Sequence, residues 1–287
     1  NAVAHLGASP HFVDIESVTL GMDPHALDHR LEQIGQRSDA GIFNRETGRR
    51  IAAVLPVHVF GLPAQIEDLR HVADAWGLPL VEDAAEALGS WYNKTHCGLF
   101  GAIGTLSFNG NKLLTTGGGG ALLTNDYELA KRARHLSTTA KLIHPWEFQH
   151  DDVGWNDRMP NLNAALGVAQ LENIQPKLDA KRKLALAYQQ AFTNFVDVGI
   201  LWDQPFTVSN FWLASLRFNT LNVLDALLQR NELLFHSHQH GCLLRPAWTL
   251  LSELPMYSNS PAGHLGTAID QVKRIVNLPS SPQLLQS

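Results

Sequence analysis

Residues 103–124 read IGTLSFNGNKLLTTGGGGALLT, and they set the pattern for the first half of the chain. The two ends, IGTLSF and GGALLT, predict β-strands because each is a short apolar run bounded by turn residues. Between them stands Lys112, followed by the consecutive glycines Gly117 to Gly120. Glycine permits a positive φ and a close approach of the backbone to a ligand or a neighbouring chain. The loop is therefore either an ordinary solvated turn or a segment that holds a lysine against a ligand.

Strand and helix signals alternate on either side of this stretch. Strands are predicted for HFVDI, IAAVLPVHVF and LPLVED, at residues 11–15, 51–60 and 78–83. Helices are predicted for DPHALDHRLEQI with Asp23 as its N-cap, for PAQIEDLRHVADAWG ending at Gly77, and for DYELAKRARHL. This alternation predicts an α/β fold, with a mostly parallel sheet flanked by helices.

The second half of the chain has a different pattern. MPNLNAALGVAQLENI and PKLDAKRKLALAYQQAF predict two successive helices that are separated near Pro176. Beyond them, NFWLASLRF, NVLDALLQRN and AIDQVKRI indicate a smaller mixed unit. We therefore predict a large domain over residues 1–175 and a smaller C-terminal α+β domain over residues 176–287.

Composition limits the classes of function. The 287 residues are 45% hydrophobic and 17% charged, which is typical of a globular protein with a large core. A formal net charge of -5 without a long Lys/Arg run argues against a nucleic-acid partner. The sequence also lacks an apolar run long enough to predict a membrane span. The cysteines, Cys97 and Cys242, are too few for a disulfide framework, so we expect a cytoplasmic location.

Asp83 and Lys112 form a pair that suits one kind of chemistry. Each follows a predicted strand, and ligands of parallel α/β sheets bind at the carboxyl ends of strands. A partly desolvated lysine becomes a nucleophilic amine, and an aspartate can hold a cationic ring nitrogen. Together they are what a pyridoxal phosphate site needs. The alternatives, an N-cap role for Asp83 and a solvated position for Lys112, stay open at this point.

Ser107 and the NGN segment after it are a candidate anion site. Hydroxyls and backbone N–H groups bind phosphate, although an ordinary turn explains the same residues. The segment is not a P-loop, because five residues separate Gly104 from Gly110 and Asn111 separates Gly110 from Lys112.

Four longer segments together resemble a known family. They are PVHVFGLPA, VEDAAEALGS, GTLSFNGNKLLTTGGGGALLTND and VGWNDRMPNLNAALGVAQLE. In residues and order they are similar to the DegT/DnrJ/EryC1/StrS family of nucleotide-sugar aminotransferases, and the resemblance covers essentially the whole chain. It implies pyridoxal phosphate as cofactor and the type I fold of pyridoxal phosphate-dependent transferases, which is aspartate-aminotransferase-like.

The resemblance implies a role for each matching residue. Lys112 resembles the lysine that bonds covalently to the cofactor, and Asp83 the carboxylate that keeps the pyridine nitrogen protonated. Glu86 occupies the position near the ring oxygen, and Ser107 resembles a phosphate ligand. Asn156 resembles an asparagine that reaches the phosphate of the neighbouring subunit's cofactor, which implies a homodimer with shared active sites.

The substrate implied by the resemblance is a nucleotide-linked keto-sugar. FNGNKLLTTGGGG and LSTTAKLIHPWEFQHDDVGWNDRMP resemble the legionaminic-acid and bacillosamine-type subgroup, which aminates C4 of a UDP-linked 4-keto-6-deoxy-N-acetylhexosamine; glutamate is the expected donor. Trp155 stands where many relatives have tyrosine, which implies a place at the sugar pocket. Arg245 and Trp248 resemble the C-terminal edge of the active site, although a structural ion pair also explains Arg245. His58 either lines the pocket or packs in the core.

One departure from the family pattern lies at the start of the sequence. The resemblance leads us to expect an earlier region that carries a Gly-Thr phosphate loop and a ring-stacking aromatic. A cofactor-free remnant, acting at most as a dimerisation scaffold, is therefore one alternative to an aminotransferase. A related pyridoxal phosphate-dependent sugar dehydratase is another, but Lys112 argues against it because family dehydratases carry histidine there.

For the remaining histidines and tryptophans we predict structural roles. His236, His238 and His240 would share one face of a strand, but the neighbouring residues do not complete a ligand set, so we predict a polar strand edge and no metal. Trp76, Trp91 and Trp212 are predicted to lie in the core or at an interface.

Overall fold

The computed structural model describes residues 1–285, with side chains through residue 284. Its α-helices are α1 (Ala2–His5), α2 (Pro24–Ile34), α3 (Ile66–Trp76), α4 (Tyr127–Ser137), α5 (Asn161–Glu172), α6 (Ile174–Ala191), α7 (Val223–Gln239) and α8 (Gly266–Gln271). Its strands are β1 (Gly35–Ser38), β2 (Gly41–Asn44), β3 (Val81–Asp83), β4 (Trp91–Tyr92), β5 (Thr95–His96), β6 (Ile103–Ser107), β7 (Gly120–Leu123), β8 (Val198–Ile200), β9 (Thr207–Val208), β10 (Ser215–Phe218), β11 (Arg245–Pro246) and β12 (Ile275–Asn277). Short 3-10 turns cover Val59–Gly61, Leu251–Glu253, Pro255–Tyr257 and Pro282–Leu285. Among the described residues, none of these helices combines the length and hydropathy of a membrane span.

The two strands predicted around Lys112 form a hairpin. β6 pairs antiparallel with β7, so that Ser107 lies opposite Gly120. The connecting loop is closed by hydrogen bonds from the Phe108 amide to the Gly119 carbonyl at 2.9 Å and from the Thr116 amide to the Phe108 carbonyl at 3.0 Å. Lys112 therefore lies in a loop between two strands that is closed by main-chain hydrogen bonds.

The other side of β6 carries the parallel part of this sheet. β3 runs parallel to β6, with Asp83 opposite Thr105. The predicted strand over residues 51–60 contributes only single bridges, at Val54 and Val57, which are also parallel to the chain at β3. Pro56 interrupts a regular strand because it has no N–H to donate, yet its carbonyl accepts from the Asp83 amide at 2.9 Å. The carboxyl ends of these segments consequently meet at one edge.

The predicted helices of the first half are confirmed, and the predicted strand over residues 11–15 is wrong. Asp23 caps α2 by accepting from the His25 amide at 2.9 Å, and Gly77 ends α3 in the left-handed conformation. These helices pack on an apolar core that includes Leu31 and Leu69. Residues 11–15 form isolated bridges only, because their partners are single residues of loops.

The second half builds a separate antiparallel sheet, in the order β11-β12-β10-β8. Its core includes Leu216 and Val276, against which α6 and α7 place partly buried side chains. Asn173 separates α5 from α6, so the break falls before Pro176, which lies in the first turn of α6 where proline is tolerated. The division into domains at residues 175 and 176 stays a prediction.

The prediction of a polar strand edge at the histidines is wrong. Residues 223–239 form α7, and His236 and His238 occupy its last turn while His240 follows it. His238 directs Nε2 to the Leu244 carbonyl at 2.7 Å, and His240 directs Nδ1 to the His236 carbonyl at 2.8 Å. Leucines recur at helical spacing through this segment, and that periodicity prevails over the alternate spacing of the histidines.

Candidate active site

Lys112 lies in a cleft between the first and second halves of the chain. Its side chain is 14% exposed, and Nζ is 3.5 Å from the Glu86 carboxylate. The ammonium also lies over the indole of Trp212, 4.0 Å from the ring centroid. An arbitrary loop lysine is solvated, whereas this one is held between a carboxylate and an aromatic face. The solvated-turn alternative is therefore inconsistent with the structure.

Glu86 is the acidic partner of that lysine. Its carboxylate accepts a hydrogen bond from the Phe60 amide at 2.8 Å. Burial raises the pKa of Glu86 above its usual range, and the neighbouring Asp83 adds to the effect; the Phe60 amide and Lys112 only partly offset it. Phe60 has a φ of 58°, which is unusual for a bulky residue and turns its N–H into the cleft.

Asp83 is the last residue of β3 and lies beside Glu86. Its carboxylate accepts from the Ala85 amide at 3.0 Å. Residues 84–90 form turns, so the alternative that Asp83 caps a helix is wrong. The single amide bond leaves the partly buried carboxylate with unused acceptor capacity at the strand end.

Ser107 ends β6, the neighbouring parallel strand. Its hydroxyl accepts from the Asn109 amide at 3.3 Å, and it is partly buried. Asp83 and Ser107 thus stand at adjacent strand ends, with the Lys112 loop beginning immediately after Ser107. A part-buried amine, a strand-end carboxylate and a hydroxyl with loop amides are the donor set that pyridoxal phosphate requires, so these residues fit that cofactor.

His58 lies behind β3, and the prediction that it lines the substrate pocket is wrong. Its side chain is 0% exposed, with Nε2 3.1 Å from the Glu82 carboxylate. Nδ1 accepts from the Ala64 amide at 3.1 Å, so the ring proton is on Nε2. Successive residues of a strand face opposite sides, which places Glu82 and His58 away from the cleft that Asp83 faces.

Glu82 is the residue that sequence reasoning missed behind the site. Its side chain is also 0% exposed, and it accepts from the amides of Gly98, Phe100 and Gly101 at 2.6–2.7 Å. Burial alone raises the pKa of Glu82, but the hydrogen bonds from His58 and the amides outweigh it, so the pKa lies below its usual range. A glutamate inside an apolar strand run was the available signal, because its side chain had to be buried.

The segment before β10 supplies the far wall of the cleft. Trp212 is 5% exposed, as the core assignment predicted, but its Nε1 donates to the Asn111 carbonyl at 2.8 Å. Asn210 donates through Nδ2 to the Glu86 carbonyl at 2.7 Å and accepts the Trp212 amide at 2.7 Å. The sequence contained no signal for the bonds to Asn111 and Glu86, because each joins residues more than a hundred positions apart.

Trp248 continues this wall toward solvent. Its ring stacks on Trp212 at a centroid distance of 6.1 Å and tilts against Phe60 at 5.4 Å, and the residue is 53% exposed. The structure therefore brings Trp248 to the mouth of the Lys112 cleft. An exposed indole there offers a flat surface to a ligand ring.

Trp155, Asn156 and Arg245 lie on the surface. Trp155 is 47% exposed, and Asn156 is exposed beside an antiparallel bridge to Thr138. Arg245 begins β11 and forms no ion pair with the residues that the structure describes. None of the three contacts Lys112 within the described chain, so their proposed roles require a ligand or a second subunit.

Comparison with known proteins identifies the family of the chain. The model of the DegT/DnrJ/EryC1/StrS aminotransferase family matches residues 1–287. EpsN of Bacillus subtilis (strain 168), assigned as a pyridoxal phosphate-dependent aminotransferase, is 32% identical over 294 residues, covering 100% of this chain and 70% of that protein. GDP-perosamine synthase of Escherichia coli O157:H7 is 32% identical over 284 residues, covering 99% of this chain and 71% of the synthase.

A solved structure gives the same result for the fold. The crystal structure of a DegT DnrJ EryC1 StrS aminotransferase from Brucella abortus superposes with a TM-score of 0.84 at 25% identity, covering 98% of this chain and 71% of that one. The fold is therefore that of the type I pyridoxal phosphate-dependent transferases, as the sequence predicted.

Proposed function

Because the chain belongs to the DegT/DnrJ/EryC1/StrS aminotransferase family, whose members are pyridoxal phosphate-dependent sugar aminotransferases, we propose that it moves an amino group from glutamate to C4 of a UDP-linked 4-keto-6-deoxy-N-acetylhexosamine. The observation that carries the proposal is the position of Lys112. Its amine is largely shielded from water, 3.5 Å from Glu86 and at the carboxyl edge of the sheet.

The residues of the cleft have separate tasks. When bound, pyridoxal phosphate supplies an aldehyde carbon that joins amines and a ring that withdraws electrons. Lys112 would provide the amine that holds this carbon, and the same amine would serve as the base that moves a proton, a role worth about 10²–10⁴-fold. Asp83 would keep the ring nitrogen of the bound cofactor protonated, Glu86 would face the ring oxygen, and Ser107 would bind the phosphate.

The choice of sugar and nucleotide rests on finer features. The segments 108–120 and 136–160 carry the resemblance to the UDP-sugar subgroup, while one relative is named for a GDP-sugar product. Trp248 at the cleft mouth offers an aromatic surface to the nucleotide sugar, and Arg245, three residues earlier in the chain, offers a cation. Trp155 contributes to the sugar pocket, where its bulk sets which sugar fits.

A second copy of the chain completes the site in this proposal. Asn156 is exposed on the surface and reaches the phosphate of the cofactor in the partner subunit. Exposed apolar side chains near it, at Trp146, Phe148 and Leu162, supply contact area for such a homodimer. The reaction takes place in the cytoplasm.

The first experiment is an absorbance spectrum of the purified chain with added pyridoxal phosphate, beside Lys112→Ala. We expect a cofactor band in the unsubstituted chain that glutamate bleaches, and no such band in the variant. Matched assays with UDP-, GDP- and dTDP-linked 4-keto-sugars then identify the acceptor. The absence of a band in both proteins would favour the scaffold alternative, and consumption of a keto-sugar without amination would favour a dehydratase.

A further inference from the structure

Trp212 contacts Lys112 in two independent ways. The face of its indole lies 4.0 Å from Nζ, and its edge donates to the carbonyl of Asn111, the residue before the lysine, at 2.8 Å. The aromatic face attracts a cation, and the N–H fixes the main chain. One side chain thus restrains both ends of the lysine.

The main chain of Trp212 is itself held by two hydrogen bonds. The Trp212 amide donates to Asn210 at 2.7 Å, and the Trp212 carbonyl accepts from the buried Lys181 at 2.9 Å. Asn210 in turn bonds the Glu86 and Leu88 carbonyls at 2.7 and 2.9 Å. A residue that is 5% exposed and has its main chain bonded in this way is well fixed, so its indole can in turn fix the position of the lysine.

We propose that Trp212 is a positioning residue for Lys112, which holds the ammonium against Glu86 and keeps the lysine loop in the geometry that amino transfer needs. The importance of this for catalysis rests on the proposed function, but the restraint itself is a property of the ligand-free chain. Both the face and the edge of the ring contribute, and they can be removed separately. Trp212→Leu removes both, whereas Trp212→Phe keeps an aromatic face and loses the N–H.

The test labels the ligand-free chain briefly with acetic anhydride and quantifies acetylation of Lys112 by mass spectrometry. The exposed Lys131 serves as the internal standard. Trp212→Leu is expected to raise Lys112 labelling about 5- to 30-fold, since loss of the aromatic face frees the amine. Trp212→Phe should retain most of the protection. In both variants, amide exchange over residues 109–112 should speed up about 5-fold because the bond to Asn111 is lost.

A matched control separates positioning from general loosening. Trp202 lies in the same region, with its ring centroid 4.7 Å from that of Phe211 and 5.6 Å from the guanidinium carbon of Arg182. The described contacts do not join Trp202 to Lys112. Trp202→Leu should leave both Lys112 labelling and loop exchange unchanged. Equal labelling in Trp212→Leu and the unsubstituted chain, or an equal rise in Trp202→Leu, overturns the proposal.

Two further results of these experiments also have a defined meaning: a variant that does not fold, and a failure of the proposed function. If Trp212→Leu does not fold, the test relies on amide exchange in Trp212→Phe. An exchange rate over residues 109–112 equal to that of the unsubstituted chain overturns the proposal. Failure of the proposed function is distinguishable, because labelling needs no cofactor. A chain that forms the cofactor band but shows no protection by Trp212 refutes only the role of the indole.

Discussion

Glu82 and Glu86 lie four positions apart and have opposite surroundings. Glu82 is 0% exposed and accepts hydrogen bonds from His58 and three backbone amides, and its pKa is lowered. Glu86 is 15% exposed, accepts one amide and meets Lys112 at 3.5 Å, and its pKa is raised. The first carboxylate is stabilised as an anion by fixed donors, whereas the second is short of them.

This difference suits Glu82 to a structural role and Glu86 to the place beside the cofactor that the proposed function gives it. A carboxylate that is surrounded by fixed donors holds neighbouring segments together and has little capacity left for a ligand. A carboxylate with an incomplete set of donors can exchange partners or a proton as a ligand arrives. Burial alone does not distinguish the two; the number of donors does.

Removing the two carboxylates should therefore have unequal effects on folding. Glu82→Ala leaves His58 and the three amides without their acceptor, so we expect a loss of about 3–5 kcal/mol in the free energy of unfolding. Glu86→Ala should change it by about 1 kcal/mol or less, because water reaches the cleft. Urea unfolding of both variants, followed by circular dichroism, measures the difference, and equal losses would contradict the comparison.

Lys181 extends the comparison of the two carboxylates to a buried cation, whose hydrogen-bond partners are neutral carbonyls. Its ammonium donates to the Trp212 and Ser280 carbonyls at 2.9 and 2.7 Å, and burial lowers its pKa to about 8. Between pH 8 and 10.5 the unfolded chain binds this proton and the folded chain does not, so stability rises with pH in that window.

The measurement compares the unsubstituted chain with Lys181→Met in urea at pH 7.5 and pH 9.5. The unsubstituted chain should gain about 2 kcal/mol of stability relative to the variant over that interval. Parallel pH profiles would show that Lys181 is not desolvated. Lys177→Met is a suitable control because Lys177 pairs with the side chain of Gln170 instead of main-chain carbonyls.

The smallest expected effect is on how the free energy of unfolding depends on pH in acid, where Glu82 and Glu86 should contribute slopes of opposite sign. The lowered pKa of Glu82 means that its contribution is present above the usual value of 4.5 and is lost as pH falls through the folded pKa. The raised pKa of Glu86 means that the folded chain binds the extra proton just above 4.5, so stability falls as pH rises there. Glu82→Gln and Glu86→Gln should remove these two slopes separately in unfolding curves from pH 3 to 7, and slopes of one sign would contradict the assignment.

Local sequence signals predicted the cleft side better than the buried side. Lys112, Asp83 and Glu86 stand in long motifs, and strand-end positions are where α/β sheets place ligands. Glu82 is in the same motif, but the donors that determine its role lie 16 to 19 residues further along the chain. The sequence leaves His58 between the pocket and the core for the same reason, because its orientation depends on Glu82 and on the Ala64 amide.

Local sequence patterns do not predict features that depend on contacts between distant residues. The alternate spacing of the α7 histidines predicts a strand, whereas the segment is a helix whose leucines recur at helical spacing. Trp212 was correctly assigned to the core, but the sequence does not indicate which buried surface contacts the lysine. The ends of α2 and α3 at Asp23 and Gly77 are predictable from sequence because a cap depends on residues within one turn.

The bond between Trp212 and Asn111 also has a consequence for how the protein is made. It spans 101 residues, and the bond from Asn210 to Glu86 spans 124. At roughly 5–20 residues per second, the ribosome needs about 5–20 seconds after Lys112 to deliver the indole that covers it. Contacts of such sequence separation also form late in folding. The nascent chain therefore carries an uncovered amine for seconds, and the cleft forms only when its last wall has been translated.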